Sequence, residues 1–284
     1  MARTRFSDYL ALTKPRLASL AIFSAFVGFY SASEGPLDFA RLLRMLCGTA
    51  FVAAAAMTLN QWMEADRDQQ MQRTALRPIA SGRMPASQAL GFGLMLALAG
   101  FWILAGLGLF PVAVAAAILA SYLGIYTPLK TRTPLCTLVG AVPGALPPLI
   151  GWSAATGGAD FRAWVLFSVI FLWQMPHFLA INWLYREDFQ RAGFRMLSAE
   201  DPEGRAVGRQ MLLYGSALLP VSLLPTFLGM AGPVYFIAAL SAGSAATLLL
   251  AVNLRKLDSK SKLLFRMSIA HLTLLLLALV LDKA

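Results

Sequence analysis

Charged residues are scarce in this sequence. Only 13% of the 284 residues are Asp, Glu, Lys or Arg, while 58% are hydrophobic; a soluble domain typically has about 25% charged and about 45–50% apolar residues. With two cysteines and two histidines, a disulfide framework and a structural zinc site are excluded. The absence of a long Gly/Ser/Pro-rich run or a block of like charges excludes disordered and fibrous classes. An integral membrane protein remains.

Apolar runs of about 20 residues, enough to cross a bilayer, recur along the whole chain. They predict an all-α polytopic bundle of about nine transmembrane helices, forming a single domain over residues 1–284. Prolines crowd the fourth and fifth runs, which predicts kinks or a partly unwound segment there. The first run reads as a full span and not as a signal peptide. The predicted spans are residues 17–33, 42–62, 87–109, 112–128, 135–152, 163–184, 208–229, 233–252 and 263–281.

The formal net charge of +10 is distributed unevenly. With nine spans, nearly all of the 24 basic residues fall on the face that carries the N-terminus. Such a bias is typical of cytoplasmic loops, so the N-terminus and the mouth formed by the long loops are predicted to be cytoplasmic. Only Arg41, Arg44, Arg162 and Lys283 are predicted to lie on the opposite face. Membrane topology thus explains the positive charge without a nucleic-acid partner, and a bacterial inner membrane is the expected location.

The first long loop begins with an acidic cluster. Asn60, Glu64 and Asp68 are four residues apart and follow one side of a helix. Like charges at this spacing repel, and the C-terminal end of a helix disfavours each anion by about 0.3–1 kcal/mol. Mg²⁺ would relieve both effects, because it prefers carboxylate and phosphate oxygens. The pattern predicts a metal–diphosphate site; the alternative is a solvated turn neutralised by Arg67 and Arg73.

The end of the sixth span repeats part of this pattern. Asn182 and Asp188 have the same separation as Asn60 and Asp66, and each pair lies at the inner end of an inward-running span. This repetition indicates an internal duplication. Two acidic clusters on two helices would hold one diphosphate through two metal ions.

Basic and aromatic side chains near these clusters are further candidates. Arg73 and Arg77 offer bidentate forks and Lys130 a point charge, both suited to a leaving diphosphate. His177 lies within the sixth span, where an ionisable residue is a functional candidate by default; a hydrogen-bonded core histidine is the alternative. Trp173 would line an aromatic pocket.

Three blocks of the sequence resemble those of the UbiA-type intramembrane prenyltransferases, in particular the heme-modifying branch, the protoheme IX farnesyltransferases. The first runs from Asn60 to Gly82, the second from Tyr126 to Trp152 and the third from Trp173 to Leu197. Together they are highly specific, and the similarity covers about residues 10–280.

The resemblance implies that Asn60, Glu64 and Asp68 form the first metal–diphosphate motif. Glu64 stands where the superfamily usually has Asp. The second motif normally holds two aspartates four apart, but here only Asp188 is present, with Leu184 at the other position. Mg²⁺, with Mn²⁺ as the alternative, is the implied cofactor. The implied substrate-binding residues are Arg73, Arg77, Tyr126, Lys130, Arg132, Trp173 and His177.

The implied reaction transfers a farnesyl group from farnesyl diphosphate to a vinyl group of heme b, giving heme O and diphosphate. The expected partners are these two substrates, the lipid bilayer and, at family level, a heme A synthase. Two alternatives stay open. One is prenylation of an aromatic quinone precursor, and the other is a secondary transporter with a site near mid-membrane.

Overall fold

The computed structural model describes residues 5–284. These residues form helices and connecting loops, with no strand beyond an isolated bridge between Ala231 and Lys283. The helices are α1 (Phe6–Thr13), α2 (Pro15–Ala32), α3 (Phe39–Met63), α4 (Ala65–Asp68), α5 (Ala86–Ala105), α6 (Leu109–Leu119), a π-helical turn (Ala120–Tyr126), α7 (Thr127–Leu129), α8 (Cys136–Ala145), α9 (Pro147–Thr156), α10 (Phe161–Leu184), α11 (Arg186–Arg191), α12 (Leu197–Glu200), α13 (Arg205–Phe227), α14 (Pro233–Asn253) and α15 (Leu257–Leu281).

Nine helical segments among the described residues are long and apolar enough to cross a membrane. Each corresponds to one predicted span; the fourth is the run Leu109–Leu129 and the fifth is Cys136–Thr156. The prediction of an all-α polytopic bundle is confirmed, and the chain is a multi-pass membrane protein. The ninth span begins at Leu257 and not at residue 263, because the helix continues through charged residues beyond the apolar run.

The proline-rich region is irregular at two defined points, as predicted. The π-helical turn Ala120–Tyr126 precedes Pro128, and Leu146 separates α8 from α9. A π-helical turn inserts an extra residue into a helix and often lies at a functional site. Here the Thr127 hydroxyl donates a 2.9 Å hydrogen bond to the Tyr122 carbonyl within the turn.

Helices α2 and α9 cross with their backbones in contact. A Cβ added to Gly28 would lie 2.1 Å from the Pro148 carbonyl oxygen, and one added to Gly151 would lie 1.9 Å from that of Ala25. Small residues at such crossings allow close van der Waals packing, which replaces the hydrophobic driving force within a bilayer. This crossing therefore requires glycine on both helices.

The predicted internal duplication extends to the helix starts. Asp38 caps α3 by accepting a hydrogen bond from the Arg41 amide, and Asp160 caps α10 by accepting from those of Arg162 and Ala163. Each aspartate satisfies amides that have no partner within the helix. These caps have the same separation in sequence as Asn60 and Asn182, which is consistent with the predicted duplication.

The two ends of the bundle differ. The long loops 69–85 and 185–204, together with the segment 130–135, lie at one end, called here the basic end. At the opposite end, the Lys283 ammonium donates to the carbonyls of Tyr30 and Ser33. The Asp282 carboxylate accepts from the Tyr235 amide at 2.7 Å. These bonds hold the last residues of the chain against α2 and α14. The predicted acidic clusters lie at the basic end.

The α2–α9 crossing predicts a local stability effect. Gly28→Ala and Gly151→Ala are each expected to destabilise the protein by about 1–3 kcal/mol, because backbone atoms must separate to admit a methyl group. Gly91→Ala is the matched control, since nothing lies within 4 Å of a Cβ there. Thermal denaturation in detergent would show midpoints several degrees lower for the first two. Equal midpoints for all three would contradict the packing argument.

Candidate active site

The acidic cluster lies where α3 ends. Helix α3 stops at Met63, yet the Glu64 amide donates to the Asn60 carbonyl (3.0 Å) and the Asp68 amide to the Glu64 carbonyl (2.8 Å). The spacing of one helical turn thus continues through the break. Asn60, Glu64 and Asp68 are all buried, with exposed fractions of 2%, 5% and 1%. Two carboxylates and an amide therefore face the protein interior together.

Each buried carboxylate has a cation beside it. Lys130 Nζ lies 2.8 Å from Glu64 Oε1, and Lys130 is itself buried. Arg77 Nη1 lies 2.7 Å from both oxygens of Asp68. Buried ions are strongly destabilising when unpaired, so these contacts determine where the loops carrying Lys130 and Arg77 can lie.

Lys14, which was not among the predicted site residues, belongs to the same electrostatic environment. It joins α1 to α2 in a left-handed conformation, with φ at 45°. Desolvation by burial, together with the charges of Arg77 and Lys130, lowers the pKa of Lys14 to about 7, and the charges of Asp68 and Glu64 oppose this shift. The Lys14-Pro15 pair could have indicated this position, because proline favours the first position of a helix and so places the preceding residue at the helix N-terminus.

Asp188, from the second cluster, contacts the loop that follows the first. Its Oδ1 accepts from the Gln72 amide at 3.3 Å and from Arg191 at 3.0 Å. The neighbouring Glu187 is exposed. Six residues earlier, Asn182 Nδ2 donates to Thr137 Oγ1 at 3.1 Å. Asp188 thus touches the loop that follows the first acidic cluster.

The amides of the two duplicated helices make equivalent bonds. Asn60 Nδ2 donates to Thr127 Oγ1 at 3.2 Å, as Asn182 Nδ2 does to Thr137 Oγ1. Each bond orients an amide at the inner end of its helix. Because Thr127 follows the π-helical turn, that irregularity is part of what positions Asn60.

Arg73 lies between the two clusters. Its guanidinium carbon is 5.0 Å from the centre of the Tyr185 ring and 5.9 Å from that of Phe189. Desolvation and the charge of Arg77 lower the pKa of Arg73, whereas Tyr185, Asp68 and Asp188 raise it. A cleft of about 500 Å³ opens here, lined by Gln72, Arg73, Leu184, Tyr185, Arg186, Glu187, Asp188 and Arg191.

Aromatic rings surround Lys130. Its ammonium nitrogen lies 4.5 Å from the centre of the Tyr126 ring and 5.7 Å from that of Phe194. The Arg195 amide donates to the Lys130 carbonyl at 2.7 Å. The segment 186–200 is thereby fastened over the loop that carries Lys130, and it covers part of the basic end.

Three of the predicted residues have their contacts elsewhere. Arg132 is exposed, and its hydrogen bonds are made by its backbone: the amide donates to the Leu129 carbonyl and the carbonyl accepts from Arg195. Trp173 and His177 stack on each other with centroids 4.8 Å apart and pack against α15, where His177 Nδ1 lies 2.8 Å from Ser268 Oγ. The recorded contacts of these three side chains do not include the acidic clusters.

The donor set was tested against a divalent cation. Among residues 5–284 no group of three or more His, Cys, Asp or Glu side chains comes together as a closed metal cage. Asn60, Glu64 and Asp68 provide oxygen donors only. Mg²⁺ usually takes one or two carboxylates and completes its shell with water and substrate phosphates. The residues present therefore fit Mg²⁺ bound together with a diphosphate.

Known proteins resemble this chain in sequence. The model of the UbiA prenyltransferase family matches residues 21–274. A protoheme IX farnesyltransferase from Solibacter usitatus is 47% identical over 248 residues, covering 83% of this chain and 84% of that protein. Another from Opitutus terrae is 41% identical, covering 99% of this chain and 96% of that protein.

Solved structures resemble it in fold. A digeranylgeranylglyceryl phosphate synthase superposes with a TM-score of 0.82 at 17% identity, covering 97% of both chains. A UbiA homologue from Archaeoglobus fulgidus bound to DMAPP and Mg²⁺ superposes with a TM-score of 0.70 at 13% identity, covering 94% of this chain and 99% of that one. With the family model matched over most of its length and close relatives sharing 41–47% of its residues, the chain belongs to the UbiA prenyltransferase family.

Proposed function

We propose that this chain transfers a farnesyl group from farnesyl diphosphate to a vinyl group of heme b, giving heme O with release of diphosphate. The observation that carries the proposal is the pair of buried carboxylate–cation contacts, Glu64 with Lys130 and Asp68 with Arg77. The names of the relatives, which are protoheme IX farnesyltransferases, support the choice of acceptor and prenyl group.

The basic side chains have a direct role in the proposed chemistry. As the allylic C–O bond breaks, the electron pair leaves with diphosphate, and negative charge grows on the oxygens. Lys130 and Arg77 already contact the carboxylates, so they stabilise this charge without reorganisation, and Lys14 adds a further positive charge to the same environment. Arg73 reaches the same region from the Tyr185 side. Asp188, on α11, completes the proposed site from the second cluster.

A divalent cation fits this arrangement. Asn60, Glu64 and Asp68 would hold it, with Asp188 on the facing segment. Mg²⁺, or Mn²⁺ in its place, neutralises phosphate charge as a Lewis acid when bound. Two archaeal structures of the same fold are described as bound to Mg²⁺ with DMAPP or with GPP, which supports this assignment.

The acceptor step needs a site protected from water. The farnesyl cation accepts the electron pair of the heme vinyl group, forming a C–C bond, and water then adds to the resulting cation and loses a proton to give the hydroxyl. The segment 186–200 and the rings of Tyr126 and Phe194 enclose Lys130 and restrict premature attack by water. Trp173 and His177 stay candidates for contact with the heme, at the α10–α15 interface.

Orientation and location complete the proposal. The concentration of Arg and Lys at the basic end supports a cytoplasmic position for it, in a bacterial inner membrane. Membership of a prenyltransferase family favours an enzyme over the transporter alternative. Transfer of the product to a heme A synthase is consistent with this position, and an aromatic acceptor in place of heme is an outcome of the assay below.

The proposed reaction predicts a metal-dependent product. Purified protein given heme b and farnesyl diphosphate with Mg²⁺ is expected to form a heme heavier by one farnesyl group and one hydroxyl group, and EDTA is expected to abolish this product. Asp68→Asn should lower the rate by about 100-fold or more, because Arg77 and the metal lose their shared carboxylate. Glu200→Gln, at an exposed carboxylate, is the matched control. Mass spectrometry of the heme fraction would decide; farnesylation of an aromatic acceptor alone would contradict heme as substrate.

Lys130 and Arg132 provide a matched pair for the diphosphate site. They lie two residues apart, but Lys130 is buried against Glu64 while Arg132 is exposed. Lys130→Gln is expected to reduce kcat/KM for farnesyl diphosphate by about 100-fold. Arg132→Gln should change it less than about threefold, since a single exposed charge interacts weakly. Steady-state kinetics would test this, and equal losses in both variants would show that burial does not identify the functional cation.

Lys14 predicts a pH dependence of substrate affinity. With a pKa of about 7, Lys14 is protonated below that pH and neutral above it, and only the protonated form attracts diphosphate. Affinity for a non-reactive farnesyl diphosphate analogue is expected to fall as the pH rises from about 7 to about 9. Lys14→Arg keeps its charge, so its affinity should fall less over the same range. Parallel pH profiles would exclude Lys14 from the binding site.

A further inference from the structure

A second polar cleft lies at the basic end, away from the acidic clusters. It has a volume of about 800 Å³ and opens between the start of α13 and the end of α14. Helix α14 packs against α13 and α15, and none of the residues lining this cleft belongs to the candidate active site. The lining residues are Glu203, Arg205, Gly208, Arg209, Leu254 and Arg255.

The cleft carries an excess of positive charge. Its single carboxylate, Glu203, pairs with Arg205. The Arg209 Nε donates only to the Arg205 carbonyl, at 3.3 Å, and neither Arg209 nor Arg255 forms an ion pair with any residue in 5–284. Two guanidinium groups, one on α13 and one in the turn that follows α14, thus line the same cleft without an anion.

Topology alone does not account for this grouping. At the same end of the bundle, Arg77, Arg186 and Arg191 each have a carboxylate within 3.0 Å. Arg73 and Arg132 have no ion pair within residues 5–284 but do not line a common cleft. A topological signal requires only basic residues near the ends of the spans, on any side of the helices. It does not require two unpaired arginines to line one cleft.

The floor of the cleft is closed. Helix α13 meets the Leu254 carbonyl at Gly208, where an added Cβ would lie 3.1 Å from that oxygen. A ligand held by Arg209 and Arg255 is therefore stopped by backbone and cannot pass between the helices toward the core. The lining residues Arg209 and Arg255 are exposed, so the cleft has an opening at the surface of the bundle.

Apolar side chains continue from that opening into the membrane-spanning region. Leu213 follows Arg209 by one helical turn on α13 and is 64% exposed. Val252 and Leu248, near the end of α14 and before Arg255, are 59% and 64% exposed. Residues three or four apart share a helix face, so an exposed leucine follows Arg209 on α13, and two exposed apolar residues precede the turn that carries Arg255.

We propose that this cleft binds the phosphate headgroup of an acidic phospholipid, with its acyl chains lying along Leu213, Leu248 and Val252. Arginine forks bind phosphate oxygens bidentately, and basic pockets between membrane-spanning helices are typical sites for anionic lipid headgroups. The headgroup would supply the anion that the two unpaired guanidinium groups lack, and the acyl chains would cover the three exposed apolar side chains. The site is independent of the proposed catalytic function.

Lipid binding to the purified full-length protein tests the proposal. Native mass spectrometry would measure the affinity for phosphatidylglycerol, with phosphatidylcholine as the zwitterionic comparison. Each basic residue near an anionic headgroup contributes roughly a fivefold effect, so Arg209→Gln with Arg255→Gln is expected to weaken phosphatidylglycerol binding about 30-fold. The control pair, Arg16→Gln with Lys262→Gln, removes the same charge from exposed positions outside the cleft and should bind like the wild type.

Other outcomes would contradict the lipid-binding site. Equal losses in the control pair would show a nonspecific charge effect and overturn the site, as would unchanged binding in the cleft variant. Displacement of the lipid by an equal concentration of inorganic phosphate would show that the cleft recognises free phosphate and not a lipid. If the double variant cannot be purified, the single variants Arg209→Gln and Arg255→Gln replace it, each with an expected loss of about fivefold.

Discussion

Two carboxylates buried at the end of a membrane helix and paired with cations constrain the rest of the basic end. An unpaired buried carboxylate costs several kcal/mol, and the cost is offset only when a cation and further hydrogen bonds reach it. Glu64 obtains Lys130 from the segment after α7, while Asp68 obtains Arg77 from its own loop. The order of these loops follows, because each must deliver a cation to a fixed point.

The surrounding architecture serves these two contacts. The π-helical turn brings Thr127 to Asn60 and, a few residues later, Lys130 to Glu64. The segment 186–200 then fixes Lys130 through the Arg195 amide and places Phe194 over its ammonium group. An irregularity that would weaken an ordinary span is here the means by which one helix supplies both an amide partner and a cation.

Hydropathy was sufficient to predict the nine spans, because a bilayer imposes one length on every helix that crosses it. The acidic cluster was also predictable, since its residues are neighbours on one stretch of chain. The positions of Arg132 and Lys14 were not. Lys130 and Arg132 are alike in sequence, and only the turn of the backbone after α7 decides which one enters the site. Lys14 is far from Asp68 and Glu64 in the sequence, so its proximity to them depends on how α2 packs.

His177 shows the same limit from the opposite direction. An ionisable residue in a span was expected to contact substrate, yet α15 provides Ser268 for its ring nitrogen and Phe265 for its face. Partners on a distant helix are set by tertiary packing and cannot be deduced from local spacing. These contacts fix the orientation of the His177 ring, and its contact with heme stays a prediction.

The balance of charge finally indicates which kind of ligand the site is built for. Around the two carboxylates stand Lys14, Arg77 and Lys130, with Arg73 at the rim. The lowered pKa of Lys14 shows that the carboxylates do not compensate for its burial beside two other cations. A strongly anionic ligand would reverse that balance, since its charge favours the protonated amine. Part of its binding free energy would then be spent on protonating Lys14. A diphosphate satisfies this requirement, whereas a neutral or singly charged ligand leaves cations in excess.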